Sequence, residues 1–243
     1  RAELDGDEWV VNGAKQFITN SGTDISACVT ITAVTGKDEN GRPEISNIIV
    51  PNGTPGYTVD PPYRKMGWNA SDTHPLTFED ARVPESNLLG PRGQGFRQFL
   101  QILDGGRIGV AAMSVGVAQG ALDEAIKYAK ERQAFGQSIS KFQSIQAKIA
   151  DISAQLEAAR LLTYRAAIEK DRGENFSLTA AQAKLITGRL AVRATEEAVQ
   201  IHGGYGFIEE YPVCRHYRDA KILTIGEGTD EVQQMVIARA LGC

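Results

Sequence analysis

The chain has few residues of the kinds that cross-link small proteins or bind metals. Its 243 residues include three cysteines, Cys28, Cys214 and Cys243, which lie far apart and are odd in number. This pattern argues against a disulfide framework and indicates a reducing compartment. The three histidines, at positions 74, 202 and 216, show no metal-ligand spacing with the cysteines. The sequence therefore predicts no metal site.

The sequence also lacks long apolar runs and a strong charge of either sign. No hydrophobic stretch approaches the ~20 residues of a membrane-spanning helix, so we expect no membrane span. The net charge is −4, which gives no electrostatic reason to expect nucleic acid as a partner. The opening residues "RAELDGDEWV" have none of the features of a signal peptide. They are typical of the interior of a longer protein, entered just before a hairpin.

Residues 1–91 have the patterns of β-structure. Within "EWVVNGAKQFIT", the pair Asn12-Gly13 lies between apolar-rich runs, which predicts a hairpin turn. Further strands are predicted at "ACVTITAVT", "ISNIIVP", "GYTVD" and "PLTFEDARVP", with a turn at "GKDENGRP". Most prolines fall in this part, at strand ends and turns, where proline is tolerated. We therefore expect a small antiparallel β-barrel or sandwich domain over residues 1–91.

Residues 92–243 have a helical period instead. Apolar residues recur at alternating spacings of three and four, which is typical of helices in bundles; they are Phe142, Ile145, Ile149, Ile152, Leu156 and Ala159. Other helices are predicted around 94–131 and 177–202, at Pro212, which can open a short helix, and from near Thr229. Asp230 and Glu231 then lie in a first turn, where the helix dipole favours acids. The sequence therefore predicts an α+β protein, with an antiparallel four-helix-type bundle after the β-domain.

One acid near the C-terminus stands between two glycines. Glu227 lies in "GEGT", after an apolar run and just before the last predicted helix. It is either an acid that favours a helix start or a catalytic base. A general base must be unshielded when it reaches an acidic C–H, and Gly226 and Gly228 would let a substrate come close.

Two segments have residue types suited to a phosphate-bearing cofactor. In "ERQAFGQSISKFQ", Arg132 offers a planar fork for phosphate, Phe135 a stacking face, and Gln143 both a donor and an acceptor. The alternative is a polar loop between helices with a solvated arginine. In "QIHGGYGF", Gly203 and Gly204 either end a helix or let a cofactor approach bare backbone.

Two other segments allow a structural or a functional interpretation. "DGGRIG" places the adjacent glycines Gly105 and Gly106 inside a helical pattern, each at a cost of about 1 kcal/mol against alanine, so a packing or ligand reason is expected. Asp104 and Arg107 share a helical face, either as a surface ion pair or as a polar grip on a ligand. In "FITNS", Thr19 is followed by turn residues and is itself either a plain strand end or a ligand contact.

Together these segments resemble the acyl-CoA dehydrogenase family. The resemblance covers nearly the whole chain and preserves the order of seven motifs: "KQFITNS", "ARVPESNLLG", "DGGRIG", "RQAFG" with a downstream "FQ", "QIHGGYGF", "YRDAKI" and "IGEGTDEVQ". Family members have an N-terminal helical domain, a middle β-domain and a C-terminal four-helix bundle. The chain resembles the last two. The resemblance therefore implies that residues 1–243 lack one wall of the site and are inactive on their own.

The resemblance also implies a reaction. The family carries out FAD-dependent α,β-dehydrogenation of an acyl-CoA thioester to a trans-2-enoyl-CoA, and Glu227 matches its catalytic base. Some branches carry the base on the first bundle helix, where this chain has Gly106, which leaves Glu227. Electron-transfer flavoprotein is the implied electron acceptor and a homodimer or homotetramer the implied assembly. The implied compartment is the bacterial cytoplasm, or the mitochondrial matrix in a eukaryote.

Individual contacts follow from the same resemblance. Phe17, Ile18 and Thr19 match the segment that lines the flavin ring, with Thr19 bonding near the flavin N5; the family often has tryptophan in place of Phe17. Six residues match the set that reaches FAD of a neighbouring subunit: Arg132, Phe135, Gln143, Gln200, Gly203 and Gly204. Contacts to flavin after the base are implied for Thr229 and Glu231. Contacts to the substrate are implied for Asp104, Arg107 and Gly228.

Two other functions are compatible with these motifs. Acyl-CoA oxidases share much of the bundle but pass electrons to oxygen, so rapid peroxide formation without an acceptor protein would distinguish them. A non-catalytic oligomerisation module derived from a flavoprotein would use the apolar seam as a scaffold. That alternative predicts that the base is missing, whereas Glu227 is present.

Overall fold

Two antiparallel sheets make up most of the first unit, Arg1–Gln101, in a computed structural model that describes residues 1–243. Four strands are ordered β1-β2-β6-β5: β1 (Ala2–Asp5), β2 (Glu8–Thr19), β5 (Tyr57–Val59) and β6 (Thr73–Pro84). The other sheet pairs β3 (Cys28–Lys37) with β4 (Pro43–Pro51). The predicted strands are confirmed, and the two sheets remain separate rather than closing into a barrel.

The core of this unit lies between inward-facing side chains of both sheets. Trp9 and Val11 of β2 and Leu76 of β6 are buried in one cluster with Ile48 and Val50 of β4. Alternation along β2, β4 and β6 places these residues on one face of each strand. The period-2 pattern of the sequence therefore determines which faces are covered.

The predicted hairpin at Asn12-Gly13 is wrong. β2 runs without a break through both residues, and a register irregularity separates Val11 from Gly13. The Asn12 side chain instead exchanges hydrogen bonds of 2.9 Å with the backbone and side chain of Asp80 on β6. The local turn signal is overridden because both halves of β2 pair with the same distant strand, which makes the irregularity a bulge. The hairpin at this end of the chain turns at Gly6 and Asp7.

Helices make up the second unit, Ile102–Cys243. They are α1 (Gly95–Glu131), α2 (Gln143–Asp171), α3 (Ser177–His202), α4 (Pro212–Ala220) and α5 (Asp230–Ala240). The predicted helices are confirmed, including Pro212 as the first residue of α4. Thr229 is the N-cap of α5, and its hydroxyl accepts a hydrogen bond from the Val232 N–H at 3.4 Å.

The predicted apolar seam of α2 forms the centre of this bundle. Ile152, Leu156 and Ala159 are buried against α1 and α3, and Ile149 is partly buried beside them. Phe142 and Ile145 pack against a second cluster nearer the start of α2. No helix combines the length and the apolar character needed to cross a membrane.

Candidate active site

Six residues other than glycine have a left-handed backbone, and three of them are predicted site residues. Phe17, Phe135 and Glu227 have φ of 60°, 51° and 57°; the others are Asn20, Trp68 and Asp80. Such conformations cost about 1–3 kcal/mol each and persist only where the surroundings hold them. Three of the six strained positions are therefore residues that the motifs assign to a site.

The Glu227 carboxylate lies against α1 at Gly106. A Cβ built at Gly106 would lie 2.7 Å from the carboxylate carbon of Glu227 and closer still to Oε1. Glycine at this position leaves the volume that the carboxylate occupies, which explains one glycine of the adjacent pair Gly105-Gly106. For the other, a Cβ built at Gly105 would meet only the end of the Lys170 side chain, at 3.3 Å.

Two buried side chains hold the loop that carries Glu227. Lys184 of α3 donates from Nζ to the Gly228 carbonyl at 2.6 Å. Gln233 of α5 donates from Nε2 to the same carbonyl at 3.0 Å and to the Glu227 carbonyl at 3.3 Å. Both side chains have no solvent exposure. The loop is therefore fixed from two different helices.

Burial lowers the pKa of Lys184 below its usual range. The carboxylate of Asp230 acts to raise this pKa, as do those of Glu227 and Glu231, whereas the Arg107 guanidinium lowers it further. Sequence reasoning missed Lys184 and Gln233. A signal for Lys184 does exist, since it follows Ala183 and precedes Thr187 on the buried side of α3, where a lysine is unusual.

The two glycines beside Glu227 have different roles. Gly228 has a φ of 91°, and a Cβ there would lie 2.7 Å from Gln233 Nε2. A Cβ at Gly226 would make only ordinary contact with Ile222. The left-handed backbone and the hydrogen bond of Gln233 are therefore sufficient reasons for Gly228, whereas packing does not require a glycine at position 226.

Asp104 and Arg107 form an ion pair on α1 that is largely out of solvent. The Arg107 side chain is 5% exposed and that of Asp104 is 27% exposed, so the pair is not the surface ion pair of the alternative interpretation. Ser177 donates to Asp104 Oδ1 at 3.1 Å. The Nε of Arg107 is buried and has no hydrogen-bond partner. A buried donor left unpaired costs about 1–3 kcal/mol, so this N–H is suited to a further acceptor.

Arg132 and Phe135 belong to a short hairpin that the sequence did not predict. Strands β7 (Gln133–Ala134) and β8 (Gln137–Ser138) pair, and the turn residues Phe135 and Gly136 have φ of 51° and 80°. The Phe135 side chain is 96% exposed. The Arg132 guanidinium lies 5.7 Å from the centre of the Tyr205 ring. Gln143 begins α2 and is exposed.

Gly203 and Gly204 leave a stretch of backbone uncovered at the end of α3. Gly203 caps α3 with a φ of 60°, which confirms the helix-end interpretation. Nothing lies within 4 Å of a Cβ built at either glycine, and Gln200 is exposed one turn earlier. Gly206 differs, because a Cβ there would lie 2.5 Å from the Val199 carbonyl. Packing therefore requires Gly206 but not the pair before it.

In the first unit, Phe17 is turned outward by an irregularity in β2. The register with β6 shifts between Lys15 and Ile18. The Phe17 side chain is 72% exposed and its ring centre lies 5.2 Å from that of Tyr63. Ile18 packs partly against the core, and Thr19 is exposed opposite Thr73 at the strand end.

Thr229 and Glu231 have a structural role at the start of α5. Beyond capping the helix, the Thr229 hydroxyl holds the pKa of the Glu231 carboxyl below its usual range, helped by a backbone hydrogen bond. Glu231 is exposed. The capping interactions do not test whether Thr229 and Glu231 contact flavin, so those contacts stay predictions.

The predicted residues of the second unit form two groups. Asp104, Gly106 and Arg107 lie in the third and fourth turns of α1, where the Glu227 carboxylate lies against the helix, and Arg132 follows its last turn. At 1.5 Å per residue, α1 separates Arg107 from Arg132 by about 37 Å. One ligand molecule therefore does not touch both groups of the same chain.

Comparison with known proteins agrees with these motifs. Residues 93–242 match the family described as acyl-CoA dehydrogenase, C-terminal domain, and residues 1–81 match acyl-CoA dehydrogenase, middle domain. The probable acyl-CoA dehydrogenase YngJ of Bacillus subtilis is 51% identical over 99% of this chain and 63% of its own length. The short-chain specific acyl-CoA dehydrogenase of Megasphaera elsdenii is 48% identical over 98% of this chain and 61% of its own.

The fold agrees as well. Butyryl-CoA dehydrogenase from Megasphaera elsdenii superposes with a TM-score of 0.94 at 48% identity, covering 100% of this chain and 63% of that structure. The chain thus spans roughly three fifths of the length of the relatives it matches. The resemblance inferred from seven short motifs is confirmed over both units. The chain belongs to the acyl-CoA dehydrogenase family.

Proposed function

We propose that the protein carrying this chain is an FAD-dependent acyl-CoA dehydrogenase that converts an acyl-CoA thioester to a trans-2-enoyl-CoA. The observation that carries the proposal is the Glu227 carboxylate, held on a left-handed backbone against a helix position without a side chain. A strained, partly exposed acid has no evident packing purpose. It suits a base that takes a proton from the α-carbon of the substrate.

The negative charge that develops on the thioester oxygen also needs hydrogen-bond donors. Removal of the α-proton leaves enolate character on the carbonyl oxygen, and fixed N–H groups stabilise such charge best. We expect the backbone N–H of Glu227 to serve here, since Lys184 and Gln233 fix the peptide groups of this loop. Asp104 and Arg107 are expected to contact the CoA arm, with the unpartnered Arg107 Nε as a donor.

Each unit by itself has exposed residues whose chemistry suits part of a flavin dinucleotide. Phe17 offers an exposed ring and Thr19 an exposed hydroxyl, while Phe135 offers a ring for stacking and Arg132 a guanidinium for phosphate. Gly203 and Gly204 offer open backbone, Gln143 and Gln200 offer amide groups, and Thr229 and Glu231 follow the base. When bound, FAD would accept the hydride equivalent from the β-carbon. Electron-transfer flavoprotein is the proposed acceptor of those electrons.

The geometry of α1 favours a site shared between subunits. Arg132 and Phe135 lie about 37 Å from Arg107 along the helix axis, farther than an extended dinucleotide reaches. The group around Arg132 therefore suits the FAD of a neighbouring subunit, and the group around Glu227 suits the substrate of its own. We propose a homodimer or a homotetramer built from such dimers.

Arg132→Ala is expected to weaken FAD binding about 10- to 100-fold, because a hydrogen bond to a charged group contributes roughly 1.5–3 kcal/mol. The thermal midpoint of the FAD-free protein should stay unchanged, since Arg132 is exposed. FAD titration by fluorescence quenching measures the first effect. Arg172→Ala, which removes an exposed arginine paired only with Glu174 at 3.9 Å, is the matched control. A monomer in light scattering that binds FAD as tightly as the parent contradicts the shared site.

The proposed reaction is tested with the flavin itself. The purified full-length protein that carries this chain, which is the parent of all variants, is saturated with FAD and mixed anaerobically with butyryl-, octanoyl- or isovaleryl-CoA. We expect the flavin absorption to bleach with at least one of them, and butyryl-CoA is tested first because a 48% identical relative is named short-chain specific. A thioether analogue, whose α-protons are not acidic, should bleach nothing. Retained FAD that no acyl-CoA reduces contradicts the proposal, and rapid peroxide formation in air would indicate an oxidase.

A further inference from the structure

We infer that Lys184 is a positioning residue for the base: its buried side chain holds the Gly228 carbonyl, and with Gln233, which holds the carbonyls of both Glu227 and Gly228, it keeps the Glu227 carboxylate against Gly106. The inference rests on the proposed function of Glu227 and assigns its geometry to two residues outside the reacting group.

The partner of Lys184 is unusual for a buried lysine. Its Nζ donates to the neutral Gly228 carbonyl at 2.6 Å, and no carboxylate lies within 4.0 Å of it as an ion pair. Asp230, the acid with the largest effect on Lys184, pairs with Arg189 at 2.8 Å instead. Lysine is almost never fully buried unless it is paired with an opposite charge. Stability alone therefore does not account for a lysine at this position.

The charged groups that face Lys184 come from three elements. Glu227 comes from the loop, Asp230 and Glu231 from the start of α5, and Arg107 from α1. The acids outnumber the arginine, so the ammonium lies in a site of net negative charge. Burial disfavours the charged form of this lysine, and the hydrogen bond of its ammonium is to the Gly228 carbonyl of the loop that carries Glu227.

The loop that Lys184 holds is one that would otherwise relax. Glu227 and Gly228 have φ of 57° and 91°, and the first of these is disfavoured for a residue with a side chain. Two donors on two helices converge on the two carbonyls of this segment. Without the lysine, Gln233 alone holds them. The carboxylate would then leave Gly106 for part of the time, and the rate of the chemical step would fall while substrate binding changed little.

Lys184→Met in the FAD-bound protein tests this, because methionine matches the length of the side chain and removes the donor. We expect kcat to fall about 10²-fold, because misplacing a reacting group by about 1 Å lowers the rate by roughly that factor. KM should stay within about threefold of the parent value. The thermal midpoint should stay within a few degrees of the parent. Amide hydrogen exchange of a peptide covering residues 225–233 should become faster. Lys184→Arg, which keeps a charged donor, should recover part of kcat.

Lys148→Met is the matched control, because Lys148 is a half-buried bundle lysine that pairs with Glu197 on the outer part of α2 and α3. It should leave kcat and the exchange of residues 225–233 unchanged. A folded Lys184→Met protein with parental kcat and parental exchange overturns the inference. If Lys184→Met does not fold, Lys184→Gln is measured in the same way, and failure of both to fold shows a structural role and also overturns it. If none of the acyl-CoAs reduces the flavin of the parent protein, the proposed function fails. The hydrogen-exchange measurement then still decides whether Lys184 orders the loop.

Discussion

Glu227→Gln is expected to lower kcat for acyl-CoA dehydrogenation by about 10²–10⁴-fold, the usual contribution of a general base. Glutamine has nearly the shape of glutamate but does not accept the α-proton. The loop should keep its form, because Lys184 and Gln233 bind the carbonyls of Glu227 and Gly228 rather than the carboxylate. The measurement is anaerobic flavin reduction by a saturating acyl-CoA, together with exchange of the substrate α-proton in deuterated water.

The matched control for this change is Glu210→Gln, which alters an exposed acid that makes no described contact with α1 or α5. It should leave turnover unchanged. The thermal midpoints of both variants should match that of the parent, because Glu227 lies in the loop before α5 and Glu210 is exposed. Near-parental flavin reduction by the Glu227→Gln protein would remove Glu227 from the reaction and leave the acid as a helix-start residue.

Gly106→Ala is expected to lower kcat about 10²-fold while the protein remains folded. The added Cβ would lie 2.7 Å from the carboxylate carbon and 3.2 Å from Cγ of Glu227. The end of a flexible side chain can move away from such a contact, so the helix persists and the carboxylate is displaced. A displacement of about 1 Å is enough to cost roughly 10²-fold in rate. Alanine is favoured over glycine inside a helix by about 1 kcal/mol, so stability should not fall.

Activity and stability therefore separate at this position, and both are measured on the same sample by flavin reduction and by thermal unfolding. Gly116→Ala is the control, since nothing lies within 4 Å of a Cβ built there. It should raise the thermal midpoint and keep the parental kcat. A Gly106→Ala protein with parental kcat would show that the carboxylate does not need its position against α1 to react.

Local signals in the sequence were sufficient for the helices and for the proposal that Glu227 is the base. The alternating spacing of Ile152, Leu156 and Ala159 determined the buried face of α2, because a helix brings residues three and four apart onto one side. Thr229 marked the start of α5 for a similar reason, since its hydroxyl bonds an N–H only three residues away. Glu227 was found from its two glycine neighbours and the ordered motifs around it.

Other features required the tertiary structure, because their partners lie far away in the chain. Asn12-Gly13 has the local chemistry of a hairpin turn, yet Asn12 bonds Asp80, and pairing of β2 with β6 outweighs a local preference. Lys184 acts on Gly228, 44 residues later. Gly106 is explained only by the carboxylate that lies beside it. The sequence by itself determined which residue types could perform the proposed reaction; only the packing of α1, α3 and α5 decided what holds the proposed base, Glu227, in place, since no local pattern records contacts between helices.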